Sequence, residues 1–151
     1  MTFEGDVDGD RGSLDEFALE EIRKVFEERE PLVAEAGFPN LIDPRALTVR
    51  LEKGISDADG ARFDVRWFRS GYYSFHYTDA IGQDFRWDYH PKDGAPDEHF
   101  HPPPNPETGD PVPSCITVEQ PELVARAVHK LWRRAFETGS LVHLNTADNP
   151  P

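Results

Sequence analysis

The sequence predicts an α+β domain: a four-stranded antiparallel meander sheet packed against an N-terminal and a C-terminal amphipathic helix. Three observations lead there. Apolar residues recur at helical spacing in 14–26 and again in 121–136. Between these helices, four segments alternate apolar and polar with a period of two. Hairpin-length turn signals join the last three of them. A chain of 151 residues is most simply one domain. It divides into a flexible acidic N-terminus (1–12), the α+β domain (13–139) and an irregular tail (140–151).

Taken in order, Ser13-Leu14-Asp15-Glu16 reads as a capping box with Ser13 as N-cap. Leu14, Ala18, Ile22, Val25 and Phe26 then make the apolar stripe of a helix. Pro31 ends it, and 32–36 reads as one further turn before Gly37. Leu47, Val49 and Leu51 alternate with Thr48, Arg50 and Glu52 in a first strand. Phe63, Val65 and Trp67 mark the second, Tyr73, Phe75 and Tyr77 the third, and Phe85, Trp87 and Tyr89 the fourth. A three-residue loop at 69–71 keeps like faces together, pairing Trp67 with Tyr73 and placing Gly71 at the left-handed position. A loop at 79–83 pairs Phe75 with Trp87. On the other face, Asp64, His76 and Arg86 then form one row, Arg66, Ser74 and Asp88 the next, and Phe68, Tyr72 and His90 a third. Residues 91–114 are a long proline-rich loop, with His99-Phe100-His101 as a short extended segment inside it. Pro121 opens the last helix and Gly139 closes it.

Ten Phe, four Tyr and three Trp carry much of the core, since hydrophobic residues are only 37% of the chain. Net charge is −13, and only four of the 16 basic residues are lysine. That acidic, lysine-poor surface is similar to the proteomes of salt-in halophiles such as haloarchaea, where salt screens carboxylate repulsion. In such a setting net acidity does not exclude a nucleic-acid substrate; local arginine clustering decides. A single cysteine, Cys115, rules out an intrachain disulfide. No apolar run reaches a membrane span, and residues 1–12 lack a signal core. The expectation is a soluble cytoplasmic protein with no membrane partner.

Four features can carry chemistry. His99 and His101 point the same way in an extended segment, with His90 upstream and Asp97 and Glu98 beside them. Such imidazoles suit proton transfer or a metal, or simply anchor a loop. The polar strand face offers Asp64, Arg66, His76, Arg86, Asp88 and His90. Arginines hold phosphate, histidine moves protons near neutral pH, and Tyr72 can stack on a base. The same residues also make ordinary cross-strand charge pairs. Arg126, Lys130, Arg133 and Arg134 fit a solvated helix face better than a phosphate site. Nothing in sequence activates Cys115.

The ordered run Tyr73-Ser74-Phe75-His76-Tyr77, Phe85-Arg86-Trp87-Asp88-Tyr89-His90-Pro91 and His99-Phe100-His101 resembles the TumE-type toxins of prokaryotic toxin–antitoxin pairs. The resemblance covers roughly 62–136. It departs from the family in its acidic N-terminal helix, its proline loop and its aromatic insertion. It implies a toxin neutralised by a cognate antitoxin protein, with Arg86, Asp88, His90, His99 and His101 at the matching positions. The residue types add the reaction: metal-independent endoribonuclease action on RNA. His76, His90, His99, His101 and Asp88 are the expected catalytic residues, with His99 or His101 as acid or base and His76 or His90 as its partner. Arg66, Arg86 and Tyr72 are the expected substrate contacts; no metal and no cofactor is called for. The alternative is a non-enzymatic regulatory module binding a protein through the open sheet face.

Overall fold

A computed structural model describes residues 12–38, 46–90, 98–103 and 111–146. The N-terminal segment 1–11, Asp97 and most of the proline loop lie outside these. The architecture is α+β, and among the described residues the sheet has seven strands, not four. Helix α1 (Glu16–Arg29) precedes β1 (Val33–Gly37), β2 (Leu47–Leu51), β3 (Ala61–Trp67), β4 (Tyr73–Asp79), β5 (Asp84–Tyr89), β6 (Glu98–His101) and β7 (Val112–Pro113), and α2 (Pro121–Thr138) follows. The strands lie side by side in chain order, and every pair is antiparallel.

The three added strands have physical reasons. Residues 33–37 alternate too weakly to read as a strand, yet the free edge of β2 captures them, with a register shift between Val33 and Glu35. Segment 98–101 pairs along β5, and the two-residue β7 closes over it. Such short pairings follow from neighbours, which periodicity does not display. The start of α1 also differs from expectation. Ser13 accepts a hydrogen bond from the Arg69 N–H, and the Asp15 N–H donates to Trp67. The sheet thus holds 13–15 extended, and Asp15 becomes the N-cap, accepting the Ala18 N–H at 3.1 Å.

The central register is as expected. Trp67 faces Tyr73, Val65 faces Phe75, and Phe75 faces Trp87. Gly71 has φ +95°, the left-handed conformation the short loop needs. One face of the sheet is therefore aromatic and buried: Phe63, Val65, Phe75, Tyr77, Phe85 and Trp87 are fully covered. Both helices cover this one face, since the Phe63 ring lies 5.3 Å from Phe26 of α1 and 6.4 Å from Trp132 of α2. Each such side chain contributes roughly 1.5–3 kcal/mol by leaving water. Leu144, beyond α2, is also in the core. No helix among the described residues is long and apolar enough to cross a membrane.

The helices are tied by a buried charge the sequence did not disclose. Glu30, at the end of α1, is 2% exposed. It meets His129 at 3.0 Å and Arg133 at 3.2 Å, and accepts the Leu32 N–H at 2.9 Å. Arg133 also pairs with Glu137, Arg126 with Glu122, and Arg134 donates to the carbonyls of His143 and Thr146. The helix arginines are thus engaged within the fold. Glu30→Ala would strand the buried His129 imidazole and take one of two carboxylate partners from the half-buried Arg133, and should lower unfolding stability by about 3 kcal/mol in denaturant titration. Glu35→Ala, which breaks only the exposed pair with Arg50, should stay within about 0.5 kcal/mol of wild type.

Candidate functional site

The open face of the sheet holds the chemistry. Residue alternation puts Asp64, Arg66, Ser74, His76, Arg86 and Asp88 there, opposite the aromatic face. Two cross-strand rows follow from the register, and β6 extends both. One runs Thr48, Asp64, His76, Arg86, His101. The other runs Arg66, Ser74, Asp88, His99. His90 lies two residues beyond Asp88 on the same strand line.

Asp88 is the centre. It is 3% exposed, and its Oδ2 accepts from Arg86 Nε at 2.8 Å. Three imidazoles surround the same oxygen: His101 Nε2 at 3.1 Å, His99 Nε2 at 3.7 Å and His90 Nε2 at 3.9 Å. The rings also pack on one another, His90 against His99 and His99 against His101, with centroids 4.9 and 4.8 Å apart and near-perpendicular planes. Burial alone would push the Asp88 carboxyl up. The His101 hydrogen bond and the Arg86 charge outweigh it and hold the group below its ordinary range.

The structure brings Arg86, Asp88, His90, His99 and His101 together. His76 stands apart on the first row, bound through Nε2 to Asp84 Oδ1 at 2.6 Å. Its ring stays about a third exposed, and His90 more so, whereas His99 and His101 are buried. Arg66 is exposed at the far end of the Asp88 row, two strand spacings or about 10 Å away. Tyr72 turns edge-on to Tyr89 at 5.5 Å. Sequence reasoning missed Asp84 as the partner of His76; its signal was the even spacing from Arg86 and Asp88, which puts all three on one face. Cys115 is half-buried, and burial pushes its thiol up, away from nucleophilic character.

Chemically, the face pairs a buried anion held by Arg86 and two buried imidazoles with two solvent-reached imidazoles, one already oriented by a carboxylate. That suits proton transfer beside an anionic ligand. A depressed carboxyl stabilises the fold above its unfolded-chain pKa of about 3.9, and that contribution is lost as pH falls through the lower folded value. Asp88→Asn should therefore cost roughly 1.5–3 kcal/mol near neutral pH. The gap from wild type should begin to narrow only below about pH 4 and close at still lower pH, as Asp88 protonates in the folded state, in denaturant titrations run across pH.

A family model described as Toxin TumE matches residues 22–137. No curated protein and no solved structure matches the chain.

Proposed function

The chain belongs to the TumE toxin family, and from that membership we propose that it arrests growth by cleaving RNA without a metal ion, restrained by a cognate antitoxin protein. The observation that carries the RNA reading is the convergence of Arg86, Asp88, His90, His99 and His101 on a face that also holds the His76–Asp84 pair. Exposure supports a division of roles. His90 reaches solvent beside Asp88 and is the proton carrier, while His76, also solvent-reached, stands four residues away along the strand direction and is tied to Asp84. The buried His99 and His101 are positioning residues acting through Asp88. Arg66 and Arg86 hold the phosphodiester, and Tyr72 flanks a base.

In the reaction, the neutral His90 imidazole takes the proton of a ribose 2′-hydroxyl. The O2′ forms a bond to phosphorus as the P–O5′ bond breaks. Water gives a proton to O5′ as it leaves, and the His90 imidazolium returns its proton to the resulting hydroxide. A cyclic phosphate and a 5′-hydroxyl result, and no outside reactant is consumed. The guanidinium groups offset charge building on the phosphoryl oxygens.

Induced expression of the wild type in a high-salt host should arrest growth, and His90→Ala should relieve the arrest at equal abundance. With purified protein in EDTA, His90→Ala should slow RNA cleavage by about 10²–10⁴-fold at unchanged melting temperature, and His76→Ala should slow it less. Arrest that survives both histidine changes but is lost in Phe68→Ala or Tyr72→Ala would instead favour a binding module working through the open face.

A further inference from the structure

We propose that Asp88, His90 and His99 bind one divalent transition-metal ion of the zinc class. Their ligand atoms, one carboxylate oxygen and two imidazole nitrogens, all lie within 4.8 Å of one another. A four-coordinate zinc ion has bonds of about 2.0–2.2 Å, so its ligand atoms sit roughly 3.3–3.6 Å apart. From Asp88 Oδ2 the nitrogens of His99 and His90 are 3.7 and 3.9 Å away. Each nitrogen needs to approach Asp88 Oδ2 by only a few tenths of an ångström to share an ion with it.

The local fold supports the assignment. His90 follows directly on the end of β5, with its Nε2 3.9 Å from Asp88 Oδ2, and register sets His99 beside Asp88. The His90 and His99 rings already meet edge to face. The same Asp88 Oδ2 is also held by Arg86 and His101, as outer partners of metal-binding carboxylates do. Asp88 Oδ1 is buried with no hydrogen-bond partner among the described residues, so the carboxylate keeps a second oxygen open to ligation. His90 is part-exposed, which gives an ion a way in. A nitrogen-rich set favours zinc-like ions over magnesium or calcium, which take oxygen ligands.

The site stands on ligand geometry and does not rest on the RNA reading. It does bear on it: ligation and proton transfer use the same nitrogen lone pairs, so a loaded site cannot run the acid–base reaction described above.

The test is calorimetric titration of Zn²⁺ into untagged, EDTA-treated, dialysed protein, with Co²⁺ absorption spectra alongside. One ion per chain is expected, with visible Co²⁺ bands and no response to Mg²⁺. His90→Ala and His99→Ala should each weaken Zn²⁺ binding by at least about ten-fold, and His143→Ala, an exposed histidine after α2, should leave it unchanged. If His99→Ala fails to fold, His90→Ala carries the comparison, because its ring is already 40% exposed. Absence of saturable Zn²⁺ binding, or wild-type affinity in His90→Ala, would overturn the proposal. The assay contains no nucleic acid, so it succeeds or fails separately from RNA cleavage.

Discussion

The register of β3, β4 and β5 is the constraint on which everything else depends. Side chains alternate between faces with a period of two, so a slip of one residue would exchange the faces completely. Phe75, Trp87 and Phe85 would enter water, and Asp88 with its imidazoles would enter the core. The short loop at 69–71, with Gly71 at positive φ, and the loop at 79–83 hold that register from both ends of β4. Asp79 reinforces the second loop by accepting from the Ile81 and Gln83 N–H groups at 3.1 and 3.0 Å. Two helices packed on one face then make the choice of face irreversible on energetic grounds, since the aromatic side chains have nowhere comparable to go.

The open face solves a different problem. A carboxylate buried as deeply as Asp88 loses its hydration, at a cost of several kcal/mol unless other groups replace it. Arg86 and the imidazoles supply that replacement. The compensation comes from groups that are themselves useful: a guanidinium that can hold phosphate, and rings that can carry protons or bind metal. Stability and chemistry therefore draw on the same atoms. The buried Glu30 uses the same device on the other side of the sheet, with His129 and Arg133 as its partners. There the partners lie inside the helix interface, and the outcome is structural.

Charge balance looks different at the two scales. The chain carries a net charge of −13, yet Arg66, Arg86 and the histidines gather on one patch of the sheet. On the proposed RNA-cleaving reading, an anionic substrate would meet these groups at contact, beside Asp64, Asp84 and Asp88, while the surrounding carboxylates repel it at distance. Salt weakens the long-range term more than the short-range one, so a saline medium favours encounter with an anionic polymer.

Much of this was written in the residues themselves. The aromatic alternation of 63–89 required antiparallel strands, and the only loop that keeps Trp67 opposite Tyr73 set the register. The rows Asp64–His76–Arg86 and Arg66–Ser74–Asp88 followed from local arithmetic. The strand at 33–37, the pairing of 98–101 with β5, and the capping of α1 by Asp15 did not, because each depends on a neighbour distant in sequence offering a free hydrogen-bonding edge. The same holds for the chemistry. Residue types marked His76, His90, His99, His101, Asp88, Arg66 and Arg86 as candidates by their side-chain pKa and donor geometry. Only tertiary pairing decided that His99 and His101 are buried against Asp88, that His76 belongs to Asp84, and that Glu30 lies between the helices. Periodicity specifies which face a side chain takes; which strand comes alongside, and hence which charges meet away from water, is settled by long-range hydrogen bonding and packing.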